Sequence, residues 1–273
     1  MTEPDTADEC LAALFELFDS GRASAFHGAY DDWGRIVSSL DLHFEMNGPS
    51  DPEAQKKEET RLLESFVKDA WIHLTPGARR HIELARLDWK TLRTTGTLYV
   101  GRHHGLPTRC VDWTSHWLTG LFFACRREFD KPGIVWWMSY DNFTQALKLQ
   151  WPTAYRKRGH VTRDIERDFI EGDDKDVFVR LHYPEFMERA HSQEAWITLS
   201  LKYGVNHDEA LAQMGVCECG RLVVKPAVKR TLLDKLDRLG VNGRSLVLGD
   251  ACVELVAADV ARRAHGTKCC PTE

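Results

Sequence analysis

The sequence has no apolar run long enough to cross a bilayer. Stretches such as Ile134-Val135-Trp136-Trp137-Met138 stop far short of the roughly 18 residues a span needs. Its opening, MTEPDTADEC, is acidic and lacks the charged and apolar regions of a signal peptide, so the expectation is a cytoplasmic protein without a membrane partner. It has no surplus of positive charge: 36 Lys and Arg against 41 Asp and Glu leave a net −5, which argues against a broad nucleic-acid-coating surface. Internal repeats and low-complexity segments are absent, as are four common chemical signatures: the GxxxxGK[ST] phosphate loop, the GxGxxG dinucleotide turn, the HExxH zinc helix and the GxSxG nucleophile elbow. The eight cysteines contain no CxxC knuckle. Cys217 and Cys219, with the distant Cys269 and Cys270, could in principle offer four thiolates, but free thiols and no metal are the expectation.

What is present suits one soluble domain. With 273 residues, 43 % of them hydrophobic and 28 % charged, the chain can bury a substantial core; residues 1–264 read as a single domain and 265–273 as a tail. Leu11, Leu14, Phe15 and Phe18 share a helical face within 6–20, and residues 24–28 read as a strand. A loop at 47–52 precedes a long helix through Leu62, Phe66 and Trp71 that Pro76-Gly77 ends, followed by a helix over 82–92. Strands are predicted at 133–137, 177–181, 195–199 and 222–224, helices at 184–189, 229–239 and 250–263, and a surface loop at 202–208. Strands and helices of unequal length without a regular βαβ rhythm indicate an α+β fold, a central, mainly antiparallel sheet with peripheral helices.

The stretch at 102–124, RHHGLPTRCVDWTSHWLTGLFFA, crowds histidines, arginines, an aspartate and a tryptophan around Gly105 and Pro107. Trp117, Leu118, Leu121, Phe122 and Cys125 then keep a 3.6-residue period, with Thr114 or Ser115 placed to cap that helix. Arg109, Asp112 and Thr114 would stand near its positive end, where an anion can be held. A structural alternative makes Arg109 and Asp112 a buried ion pair pinning the turn.

The run His103-His104-Gly105-Leu106-Pro107-Thr108-Arg109, then Asp112-Trp113-Thr114 and Leu121-Phe122-Phe123-Ala124, resembles the signature of the FRG domain family, which is associated with bacteria and phages. Phe26-His27-Gly28 stands at the place of the Phe-Arg-Gly that names the family, with histidine for arginine, and Arg189, Gln193 and Thr198 echo a downstream pattern. The resemblance covers roughly residues 22–200. Phe26-His27-Gly28, Trp113-Thr114-Ser115 and Gln193-Glu194 are also similar, in order, to the three segments that build the active site of ADP-ribosyltransferases. That resemblance implies NAD as co-substrate, Glu194 as the carboxylate facing the charge that develops on the ribose carbon, and His27 as the residue orienting ribose and nicotinamide. It implies a substrate-binding set of Gly28, His103, His104, Arg109, Asp112, Thr114, Ser115 and Gln193, and an NAD-consuming toxin or phage-defence effector. The alternative is a non-catalytic module that recognises a nucleotide, nucleic acid or protein through the same groups.

Overall fold

The computed structural model describes residues 3–30, 34–85, 92–150, 178–184 and 187–246. The first helix, α1 (Ala7–Asp19), starts at a capping box: Thr6 accepts from the Glu9 amide while the Glu9 carboxylate takes the Thr6 amide. Strand β1 (Ala25–Ala29) follows. Helix α2 (Ser39–Asn47) is capped by Ser38, and α3 (Pro52–Ala70) by Asp51 with proline in its first turn. Pro76-Gly77 does not merely stop the preceding helix; Pro76 opens α4 (Pro76–Ala85), since proline's missing N–H costs nothing in a first turn. Helix α5 (Thr95–His103) leads into the signature and is buried from Thr95 to Gly101.

The signature then contains a strand not expected from its composition, β2 (Cys110–Thr114), before helix α6 (Trp117–Cys125). The residue at the N-cap of α6 is His116, which makes no side-chain capping bond, rather than Thr114 or Ser115. Strand β3 (Gly133–Met138) and helix α7 (Tyr140–Gln150) come next, then β4 (Phe178–His182), α8 (Glu188–Ser192) and β5 (Ala195–Ser200). The expected loop at 202–208 runs into α9 (His207–Gln213), and the chain continues through β6 (Cys219–Val224), α10 (Pro226–Arg238) and α11 (Gly243–Leu246). The helix expected at 250–263 and the tail lie outside the described residues.

All six strands form one antiparallel sheet in the order β4-β5-β2-β1-β3-β6, so the fold is α+β with β2 and β1 at its centre. Alternation along each strand sends side chains to two differently covered faces. On one face, α1, α6 and α10 cover Phe26, Val135 and Leu222, while α3, α4 and α5 cover Cys110, Ile197 and Leu199. The other face packs Val111, Trp113 and Trp196 against Phe143 of α7 and Leu211 of α9. There Trp196 stacks on Trp113 at 5.9 Å and on Phe143 at 5.8 Å, and the Trp113 indole donates to Thr198 Oγ1 at 3.0 Å. Helix α6 lies hard against β1. A Cβ on Gly28 would come within 2.0 Å of the Gly120 carbonyl oxygen, so only glycine lets the two backbones approach this closely.

Candidate functional site

The site begins where two central strands part. Among the described residues β1 and β2 share one bridge, Phe26 opposite Thr114, whereas β1 pairs with β3 from Ala25 to Ala29. Past that bridge the His27 imidazole replaces the ladder: Nδ1 lies 2.7 Å from the carbonyl oxygen of Asp112. A carbonyl only accepts, so Nδ1 carries the proton and neutral His27 leaves Nε2 as an acceptor. Burial lowers the His27 pKa, and the nearby Arg102 charge adds to the effect.

Asp112 points to the face covered by α5. Its Oδ2 accepts from Arg102 Nε at 3.0 Å and Nη2 at 2.6 Å, and its Oδ1 accepts from the Tyr183 hydroxyl. The third Arg102 nitrogen donates to Ser39 Oγ at 2.9 Å. Burial pushes the Asp112 carboxyl up, but the Arg102 guanidinium and the two donors hold it below the ordinary carboxylate range. Burial and the Asp112 charge raise the Tyr183 phenol, which stays a proton donor. Asp112 is ringed by protein, yet 41 % of its side chain meets solvent, as does 21 % of Arg102. Asp112 is thus held by protein donors and still meets water.

The last turn of α5, which supplies Arg102, also carries His103, with His104 at its cap. Half-buried His103 is pushed down to about 4 by burial, by the charge of Arg189 and by His104, whose ring lies 5.2 Å away; the exposed His104 is lowered by burial and Arg189 too. Both imidazoles are therefore neutral at pH 7.

Arg109 does not join them. It is fully buried and paired with Glu59 of α3 through bonds of 2.9 and 3.2 Å, and it donates to the Leu201 carbonyl at 2.6 Å. Glu59 also binds Arg93 at 2.9 Å and the Tyr203 hydroxyl at 2.7 Å. The expected Arg109–Asp112 pair is thus replaced by two pairs, Arg109–Glu59 and Arg102–Asp112. Arg109 stands just ahead of β2 and turns into the α3 interface, so it contacts no ligand beside Asp112. Glu59 had a signal in the sequence: with Leu63 and Val67 it repeats every four residues along the buried stripe of α3. Tyr183 had none, because its contact with Asp112 spans 71 positions.

The other sequence candidates are placed as follows. Gly28 serves the close packing of α6. The Thr114 hydroxyl donates to the Gln193 carbonyl at 2.6 Å and accepts the His116 amide at 3.0 Å. The Ser115 amide bonds the Glu194 carbonyl at 3.3 Å, and the Gln193 side chain donates to the Leu246 carbonyl at 2.6 Å. These bonds lace residues 114–115 to 193–194; Ser115 and Glu194 lie two positions along the sheet from Trp113 and Trp196, the level of His27. Among the described residues no hydrogen bond joins Glu194 to His27. Glu194 is exposed and has φ 47°, a left-handed conformation uncommon for a residue with a side chain.

Cys217 and Cys219 are exposed free thiols, and among the described residues no group of three or more His, Cys, Asp or Glu could hold a metal; Cys269 and Cys270 lie outside them.

Residues 22–132 match the family model for the FRG domain. The chain carries an FRG domain. The match runs from just before β1 to just before β3, so the FRG domain contributes His27, Arg102, His103, His104 and Asp112, while Tyr183, Arg189 and Glu194 come from the chain beyond it. It ends well short of residue 200, leaving the downstream Arg189-Gln193-Thr198 echo outside. No curated protein and no solved structure matches the chain.

No helix among the described residues is long and apolar enough to cross a membrane.

Proposed function

We propose that the cleft over Asp112 binds a nucleotide, and that NAD is the ligand its groups fit. The observation that carries this reading is the state of Asp112: ionised and oriented by Arg102 and Tyr183, yet open to solvent over 41 % of its side chain. A fixed, wet carboxylate accepts hydrogen bonds from sugar hydroxyls, and cations at the same cleft suit phosphates. Asp112 is not the group for the chemical step, because Arg102 already neutralises its charge.

Chemistry falls to Glu194. Its left-handed backbone supports this second layer of the reading, since conformational strain is retained where a side chain must be held in one place. In NAD cleavage the bond between C1′ and the nicotinamide nitrogen breaks, its electron pair leaves with neutral nicotinamide, and water or an acceptor adds to C1′ and loses a proton. Positive charge grows on the ribose in between, and the exposed Glu194 carboxylate would stabilise it. Such consumption of NAD is how the protein would act as a toxin or defence effector.

The test follows nicotinamide release from NAD by the purified protein and by Glu194→Gln. The expected result is a rate lower by orders of magnitude in the variant, at unchanged melting temperature and ADP-ribose affinity. Full activity in Glu194→Gln removes that residue from the chemistry. Binding of ADP-ribose without any cleavage leaves a recognition module, and no binding of either compound overturns the nucleotide reading.

A further inference from the structure

Charge in the cleft does not balance. Arg102 is matched by Asp112, but among the described residues no carboxylate pairs with Arg126 or Arg189. Arg126 closes the C-terminal end of α6, its guanidinium 4.9 Å over the Phe123 ring. Its Nε is buried without a hydrogen-bond partner, a costly state for a charged donor. Phe123 and Ala124 press on Gly28, so this end of α6 stands beside β1 just where β1 leaves β2 and the cleft opens. Arg189 lies on α8, whose Ala190 packs in one core cluster with Cys110 and with Tyr183, the residue that binds Asp112. Its charge reaches Arg126 as well as His103 and His104, and burial with the Arg127 and Arg189 charges brings Arg126 down to about 10. Like-charged guanidiniums gathered with an unsatisfied donor destabilise the free protein. They make sense as a receptor waiting for an anion.

We propose that Arg126 and Arg189 form a diphosphate subsite of the Asp112 cleft, with His103 and His104 beside Arg189. This rests on the nucleotide reading and names the part of the ligand that this end of the cleft takes. Two uncompensated guanidiniums match the two negative charges of a nucleotide's diphosphate bridge, and their planar donors can grip its oxygens in pairs. Free pyrophosphate presents the same chemistry.

The experiment titrates pyrophosphate, in magnesium-free buffer, and ADP-ribose into the wild type, Arg126→Met and Arg189→Met, and records each melting temperature without ligand. Each variant is expected to bind both compounds roughly tenfold or more weakly. Arg126→Met should also melt at or above the wild-type temperature when empty, because the repulsion and the orphaned Nε are gone; a merely structural arginine would show the reverse. Wild-type affinity for pyrophosphate in both variants, or a ligand-free Arg126→Met that melts several degrees lower, overturns the subsite. If ADP-ribose binds the wild type and both variants equally, the subsite fails and the nucleotide reading stands. If pyrophosphate binds and is lost in the variants while ADP-ribose never binds, the subsite stands and the nucleotide reading falls.

Discussion

Two clusters built from the same three chemical groups flank the start of β2. Glu59, Arg109 and Tyr203 meet on one side, joined by Arg93; Asp112, Arg102 and Tyr183 meet on the other. The first is dry, with Glu59, Arg93 and Arg109 at most 3 % exposed, and its carboxylate is shared by two guanidiniums. Arg109 adds the face of the Tyr203 ring, 4.3 Å from its guanidinium carbon. It ties α3 to β2 and to the backbone at Leu201. The second is satisfied one to one but left open to water. Residue types therefore do not separate a structural cluster from a binding one. Solvent contact is what differs, together with the charge balance: both arginines of the dry cluster have their carboxylate, while among the described residues no carboxylate pairs with Arg126 or Arg189.

The comparison breaks most easily at Glu59. Glu59→Gln leaves two buried guanidiniums without their anion and should cost ~3–5 kcal/mol, a fall in melting temperature on the order of 10 °C, read from urea and thermal unfolding. A loss below ~1 kcal/mol would mean that the dry cluster is not what holds α3 to the sheet.

Acid sharpens the contrast, because the groups lose their stabilising states in different windows. The folded pKa of Glu59 is depressed, since Arg109 and Arg93 outweigh its burial, so its contribution is complete above the ordinary carboxylate value and drains only as pH falls below it. Buried His207 is pushed down to about 3, chiefly by burial and also by the nearby His27 and Arg102, against 6.5 ordinarily. The unfolded chain thus takes up a proton the fold refuses, and stability should fall by up to ~1.4 kcal/mol per pH unit from about 6.5 downward. Unfolding midpoints between pH 7 and 4 should flatten in His207→Gln and keep their slope in Glu59→Gln. An unchanged slope in His207→Gln would show that the fold tolerates an imidazolium there.

The smallest effects come from the two phenols. Tyr203→Phe removes a dry hydrogen bond to a carboxylate and should cost ~1–2 kcal/mol, while Tyr183→Phe, at a wet carboxylate, should cost less than ~1 kcal/mol and show itself in ligand affinity instead. Equal stability losses by urea unfolding would erase the distinction between the clusters.

Much of the architecture was legible from period and punctuation: α1, β1, α3, α6, β3, β5 and α10 all follow apolar spacing bounded by caps, glycine or proline. Strand β2 was hidden although its alternation is plain afterwards, because Cys110, Asp112 and Thr114 are polar or small on the very face that carries the site. Helices α2 and α7 were overlooked for a different reason; α2 contributes Leu40 and Phe44 to the interior from an otherwise polar run. At the site, His103, His104 and Asp112 stood out locally, and Glu59 could have been found as a charge on an apolar stripe. Tyr183 could not, since its bond to Asp112 spans 71 positions and is set by the crossing order of the sheet rather than by any spacing along the chain. The Arg109–Asp112 pairing fails because each residue meets a partner on a different helix, Arg109 with Glu59 of α3 and Asp112 with Arg102 of α5.

The most direct test compares Asp112→Asn with the wild type by thermal shift, empty and with ADP-ribose. After solvent screening of a half-exposed pair, the empty variant should lose ~1 kcal/mol or less and melt within a few degrees of wild type, yet the ADP-ribose-induced rise seen in the wild type should vanish. A variant that retains the full rise, or one that collapses as Glu59→Gln is expected to, would contradict the assignment of the wet cluster to binding.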